Sequence, residues 1–312
     1  MNVNAATPSP PHETFHDPQS ALSEWMAAGR ALVEAELDRR LPPATEKPAI
    51  LHEAMRYATL NGGKRLRAIL ALAVCQALGK DPRRALLPGT ALEAFHAYTL
   101  VHDDLPCMDD DDLRRGKPST HIRYGEANAL LAGDALLTLA CQWMAESVTP
   151  LPHPPTALVL ELTQAGGSTG VIGGQIEDLA AEALPPEEER LLYIHSEKTA
   201  RLIACACRCG AIAAGACPAT VDTFGDYGHH LGLAFQILDD ILDATQVTAI
   251  LGKPAGSDAE NHKLTTVSLW GLEKSRSEAR RHTDLALAAL EKTRADTHRL
   301  APLTAHLLNR DS

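Results

Sequence analysis

The chain has 312 residues, 45% of them hydrophobic and only 4% aromatic, with a formal net charge of -11. That is enough material for a sizeable core, and the acidic balance makes nucleic acid and anionic membrane surfaces poor partners for the protein as a whole. No run reaches the ~18 consecutive apolar residues of a membrane span. Residues 1–20 lack an apolar central region, so a disordered tail is expected there and not a signal peptide. The seven cysteines form no CxxC pair, which predicts reduced thiols filling an interior and a cytoplasmic protein.

Ala- and Leu-rich segments without β-branched alternation predict helix nearly throughout. In chain order the helices are expected over 19–40, 48–60, 66–78, 85–103, 125–147, 155–174, 186–214, 220–244, 263–292 and 300–308. Breakers separate them, among them Pro42-Pro43, Asn61-Gly62-Gly63, Asp81-Pro82, Gly116-Lys117-Pro118, Pro185-Pro186 and Gly252-Lys253-Pro254. No linker is long enough to divide domains. The expectation is one all-α unit over 21–312, a helical bundle around a central cavity.

The fourth predicted helix runs into Asp103-Asp104-Leu105-Pro106-Cys107-Met108-Asp109-Asp110-Asp111-Asp112, six carboxylates in ten residues. Two unit charges 4 Å apart repel by about 1 kcal/mol even in bulk water. Taken alone, the run reads as a solvated acidic loop; as a site, it suits Mg²⁺, Mn²⁺ or Ca²⁺, which favour hard oxygen ligands. Pro106 disfavours helix at Leu105, so the chain is expected to unwind there and swing Asp109 back toward Asp103. Arg114 and Arg115 follow, and guanidinium forks match phosphate oxygens.

A second cluster, Asp239-Asp240-Ile241-Leu242-Asp243, lies inside an apolar helical segment. Asp239 and Asp243 are one turn apart on one helix face, and carboxylates beside a core stripe are costly unless paired or metal-bound. Two such clusters predict a metal–diphosphate site. Basic groups come from several segments. Lys64, Arg65 and Arg67 follow a diglycine turn, and His96 lies two helical turns before Asp103 on about the same face. Lys198 and Thr199 fall in an apolar helix, Gln236 stands three residues before Asp239, and Lys253 and Lys263 follow the second cluster. Each alone reads as surface or core; together they surround a polyanion with cations.

These residues closely resemble the trans-isoprenyl diphosphate synthases, in particular the bacterial short-chain farnesyl-forming branch. The carriers are Gly62-Gly63-Lys64-Arg65-Leu66-Arg67, the stretch from His96 through Gly116, Tyr124-Gly125-Glu126-Ala127, the segment ending at Asp134, Gly173-Gly174-Gln175-Ile176-Glu177-Asp178, Lys198-Thr199, and Phe235 through Asp243. The resemblance implies an all-α homodimer. It implies that Asp103, Asp109 and Asp239, with Asp243 in the same motif, hold three Mg²⁺ ions, with Mn²⁺ able to substitute. Arg114, Lys198, Lys253 and Lys263 would clamp the allylic diphosphate, while Lys64, Arg67, His96 and Arg115 would hold isopentenyl diphosphate. Thr199 and Gln236 would present oxygens to the developing allylic cation. Tyr98, five residues before Asp103, would set chain length as a floor under the growing tail, with Thr99 beside it, giving a fifteen-carbon product.

Two departures stand out: Ala68 where the family usually has Pro, and His262-Lys263-Leu264-Thr265 where it has Gly-Lys-Ser-Thr. The second puts the role of Lys263 in doubt. The rivals are a geranyl or geranylgeranyl diphosphate synthase, a class I terpene cyclase, and a non-catalytic subunit of the same fold. The second aspartate cluster argues against the cyclase, and the retention of both clusters with Lys64 and Arg67 argues against the silent subunit.

Overall fold

The computed structural model describes residues 18–245 and 263–308; Lys253 and residues 1–17 lie outside them. Thirteen α-helices are described: α1 Pro18–Arg40, α2 Ala49–Leu60, α3 Leu66–Ala77, α4 Leu86–Asp103, α5 Thr120–Tyr124, α6 Glu126–Glu146, α7 Ala157–Gly166, α8 Val171–Ala181, α9 Glu188–Ile194, α10 Arg201–Ala213, α11 Pro218–Thr245, α12 Thr266–Thr293 and α13 Leu300–Leu308. A 3₁₀ turn at Pro82–Ala85 precedes α4, and a π-helical turn, His195–Ala200, joins α9 to α10. The fold is all-α, as expected. Helix α1 begins at Pro18, inside the 1–20 stretch expected as a tail; proline is well suited to a first helical turn, where its missing N–H is no loss.

The interior is built from α3, α4, α10 and α11, with α6 on α4 and α12 on α11. Small side chains let these helices approach closely: Ala68, Ala71, Ala73, Ala91, Ala94, Ala206 and Ala211 are fully buried. Cys75, Cys205, Cys207 and Cys209 join them, and all seven cysteines are unpaired thiols. Cys205 and Cys209 both lie on α10. They are four apart, share a face, and bring their sulfurs within 3.9 Å.

Three expectations fail for local reasons. The helix expected over 155–174 ends at Gly166, turns through Gly167 and Gly170, and restarts as α8, which runs on to Ala181. The helix expected over 186–214 carries the π turn in its middle. And one two-stranded ladder exists, β1 (Leu113–Arg114) with β2 (Lys117–Pro118). It is closed by Arg115 and Gly116 at φ 56° and 73°, the backbone of a tight two-residue hairpin.

Candidate active site

Helix α4 ends at Asp103 and the chain doubles back at once. The Asp109 N–H donates to the Asp103 carbonyl at 2.9 Å, and Met108 and Asp110 donate to the Leu105 carbonyl at 2.8 and 3.2 Å. The six-residue offset between Asp103 and Asp109 is thereby cancelled, as the proline predicted. Burial pushes the Asp103 carboxyl up to about 6, with Lys198 opposing that rise and Asp109 adding to it.

Two lysines face these acids. Lys198 Nζ donates to Asp178 Oδ2 at 2.6 Å, and Lys263 Nζ lies 2.9 Å from Asp109, 2.8 Å from Glu182 and 3.4 Å from Asp178. Burial would raise the Asp178 carboxyl, but Lys198 and Lys263 outweigh it and hold the group below its ordinary value. The approach of α8 to the π turn depends on Gly174: a Cβ there would collide with the Lys198 backbone. The π turn in turn widens the helix at Lys198 and Thr199, a distortion often found where function overrides regular packing.

Thr199 ties the π turn to the helix that carries the second aspartate cluster. Its hydroxyl donates to Gln236 Oε1 at 2.9 Å, and Gln236 stands one turn before Asp239 and Asp240 on α11. Asp239 is half-buried and Asp243 buried. Departure at Leu264 has a structural account: its side chain is buried with Ala181, Leu191 and Ile194, which pins the segment carrying Lys263 onto α8 and α9.

A second cationic grouping lies further along α4. Gly62 and Gly63 adopt φ 86° and 128°, and a Cβ on Gly63 would lie 2.7 Å from the Arg115 guanidinium, which donates to the Gly62 carbonyl. Arg67 is pushed down to about 10 by burial, with Glu93 opposing and Arg115 adding to the effect. Among the described residues its buried Nε has no hydrogen-bond partner, as suits a donor awaiting an anion. His96 is held well below its ordinary value, first by burial and then by Arg67, Arg115, Arg114 and Arg65, so it enters this grouping as a neutral imidazole. Lys64 is exposed at the mouth of the turn.

The hairpin separates the two arginines. Arg115 turns toward the diglycine, whereas Arg114 donates to Asp104 (Nε–Oδ1 2.8 Å) and to Asp111 at 2.8 Å. Burial disfavours the Arg114 charge, but these carboxylates more than offset it. Arg65, counted with the anion-facing cations from sequence, is structural instead: it is buried, donates to the Thr59 carbonyl at 2.8 Å and lies 3.9 Å from Glu93. Glu93 also accepts from the Ala68 N–H at 3.1 Å, a donor that the more usual proline would lack.

Tyr98 is buried between Phe95 and His102, edge-on to both at centroid distances of 5.0 and 5.1 Å. His102 meets the Leu130 carbonyl of α6 at 3.0 Å, so the Tyr98 ring leans toward α6, while Thr99 shares the Asp103 face of α4. Sequence reasoning gave no individual role to Asp104, Asp178, Glu182, Glu93 or Asp240; Asp104 and Asp240 were signalled by the two aspartate clusters and Asp178 by the segment 173–178, whereas Glu93 and Glu182 carried no signal.

The donor set fits divalent cations. A buried Asp103 that is costly to ionise gains from one, and Asp109 adjoins it. Among the described residues no three His, Cys, Asp or Glu side chains converge as a closed site, and Mg²⁺ held by one or two carboxylates with water and phosphate oxygens needs none.

The polyprenyl synthetase family is matched over residues 48–302. The chain is 42% identical over 277 residues to geranylgeranyl pyrophosphate synthase 11, chloroplastic, of Arabidopsis thaliana, covering 86% of this chain and 77% of that protein. It is 40% identical over 267 residues to the farnesyl diphosphate synthase of Geobacillus stearothermophilus, covering 85% and 89%. The crystal structure of an FPP/GFPP synthase from Zymomonas mobilis superposes with a TM-score of 0.81 at 36% identity, over 92% of this chain and 99% of that one.

Proposed function

This chain belongs to the polyprenyl synthetase family, and we propose that it condenses isopentenyl diphosphate with dimethylallyl or geranyl diphosphate to give farnesyl diphosphate. One observation carries the reading: two separate cationic groupings lie along a single face of α4, Lys198 and Lys263 near Asp103, and Arg67 and Arg115 near His96. His96 and Asp103 are seven residues apart, about 10 Å along a helix, a spacing that suits two diphosphates whose tails meet.

Mg²⁺ at Asp103, Asp109 and Asp239, with Asp243 of the same motif, would supply Lewis-acid stabilisation of the departing diphosphate, with three ions per site, replaceable by Mn²⁺. Lys198 and Lys263 hold the allylic diphosphate and stabilise its charge as the C–O bond breaks; Arg114 joins them at the same end. Lys64, Arg67, His96 and Arg115 fix isopentenyl diphosphate so that its double bond attacks the allylic carbon. Thr199 and Gln236 turn oxygens toward that carbon, and the released diphosphate takes the proton that the new product loses. No side-chain nucleophile is required. The same reading makes the protein a homodimer of the cytoplasm; among the described residues no helix is long and apolar enough to cross a membrane.

A geranylgeranyl product is the second reading, favoured by the 42–43% identity to geranylgeranyl pyrophosphate synthases 11 and 3 of Arabidopsis thaliana. Incubation with labelled isopentenyl diphosphate, Mg²⁺ and each allylic diphosphate, followed by sizing of the dephosphorylated products, tests both. Farnesol is expected; geranylgeraniol as the main product would establish the second reading, and no incorporation would overturn the condensation.

A further inference from the structure

Asp240 is 4% exposed. Its Oδ1 accepts from Gln236 Nε2 at 3.0 Å. Its Oδ2 accepts from the Thr266 backbone N–H at 2.7 Å and from the Thr266 hydroxyl at 3.0 Å, with His195 Nε2 at 3.4 Å. Three hydrogen-bond donors thus come from α11 and the first turn of α12, both of those on Oδ2 from Thr266, while His195 of the π turn only lies nearby. A carboxylate offers about four lone-pair sites, so Oδ2 has none left for a cation. Asp239, the neighbouring residue, lies about 100° around the helix.

From this geometry we propose that Asp240 is the positioning residue of the cation-facing pair Gln236 and Thr199, and not a metal ligand. The inference rests on the prenyltransferase reading given above. An ionised carboxylate only accepts hydrogen bonds, so the Gln236 group facing Asp240 must be its NH₂. The opposite end of the amide, Oε1, is thereby fixed toward Thr199, whose hydroxyl donates to it at 2.9 Å. That donation commits the Thr199 proton and leaves oxygen lone pairs of both residues for the allylic carbon. Were the amide reversed, its N–H dipole would face a developing positive charge, and the sign of the interaction would invert. The second half of the contact set does different work. Thr266 opens α12, where backbone N–H groups lack helical partners, and Asp240 satisfies one of them. The segment carrying Lys263 is thereby latched to the helix carrying Gln236.

The test compares Asp240→Asn with Asp239→Asn in the full-length protein. An asparagine can turn either its oxygen or its NH₂ to Gln236, so it no longer fixes the amide. Steady-state kinetics on Asp240→Asn should show kcat reduced at least thirtyfold, with KM for both diphosphates changed less than threefold. Binding of Mn²⁺ with inorganic diphosphate, followed by electron paramagnetic resonance, should stay within twofold of wild type in Asp240→Asn and weaken at least tenfold in Asp239→Asn. Adding Gln236→Ala to Asp240→Asn should cost little further, since the two act as one unit. Hydrogen exchange at the start of α12 should quicken in Asp240→Asn whether or not the enzyme turns over, which separates failure of this inference from failure of the proposed function. If Asp240→Asn does not fold, Thr266→Val removes one donor and should lower kcat with unchanged Mn²⁺ binding. Loss of Mn²⁺ binding in Asp240→Asn or Thr266→Val to the extent seen in Asp239→Asn, or fully additive losses with Gln236→Ala, would overturn the proposal.

Discussion

Lys263 Nζ lies 2.9 Å from Asp109 Oδ1, an ion pair that spans 154 residues of chain and joins the acidic loop to the segment before α12. The same ammonium reaches Asp178 and Glu182, and these carboxylates raise its basicity against the lowering effect of burial. Three acids around one lysine form a preassembled charge set, which the proposed allylic diphosphate would re-pair on binding. Lys263→Ala should therefore raise KM for the allylic substrate by roughly tenfold, the worth of one charge-assisted hydrogen bond, and leave KM for isopentenyl diphosphate near wild type. Initial rates against each substrate decide it; an unchanged allylic KM would remove Lys263 from the site.

Asp103→Asn removes a proposed metal ligand and with it a buried charge that is costly to ionise. Turnover should be abolished while the metal-free melting temperature holds or rises, because neutral Asn escapes both the desolvation cost and the repulsion from Asp109. Calorimetry without metal and product assays at saturating Mg²⁺ check the two halves. Near-normal activity would sink the metal assignment, and a marked loss of stability would contradict the electrostatic account.

The two cationic groupings should separate kinetically. Lys64→Ala and Arg67→Ala are expected mainly to raise KM for isopentenyl diphosphate. Arg114→Lys is expected to lower kcat and allylic affinity, since a point charge replaces the fork that engages Asp104 and Asp111. Arg114→Ala is the poorer probe, because it strands Asp104, buried and unpaired, at a cost of about 3 kcal/mol or more. Equal effects of all three variants on both KM values would show that one site, and not two, holds the diphosphates.

Tyr98→Ala opens space between α4 and α6 where the ring now meets Phe95 and His102. If this ring limits the prenyl tail, products should lengthen by at least one five-carbon unit, together with a loss of about 3 kcal/mol from the vacated core. Product sizing alongside urea denaturation separates the outcomes: lost stability with unchanged products would make Tyr98 a packing residue alone.

Much of this was legible from residue order. The helix-breaking Pro106 inside the ten-residue run ending at Asp112 foretold the return of Asp109 to Asp103, because local sterics decide that turn. Helix existence was legible for the same reason, since Ala and Leu repeat with few interruptions. What escaped was set by partners distant in sequence. Arg65 looked equivalent to Lys64 and Arg67 until Thr59 and Glu93 claimed it, and Asp178 acquired its two lysines from positions 20 and 85 residues away. The π turn at Lys198 has no periodic signature, because a single widened turn leaves the apolar spacing nearly intact. The Arg115-Gly116 hairpin is two residues per strand, too short for alternation to register.

The central claim is that the allylic diphosphate departs at the Asp103, Lys198 and Lys263 site and that the allylic carbon it leaves is then joined to isopentenyl diphosphate. It is tested most directly by measuring inorganic diphosphate release and labelled isopentenyl incorporation in the same reaction, with geranyl diphosphate and Mg²⁺. We predict one diphosphate released for each five-carbon unit incorporated, with both signals absent in Asp103→Asn. Diphosphate released without isopentenyl incorporation would contradict it, leaving an enzyme that ionises allylic diphosphates without condensing them.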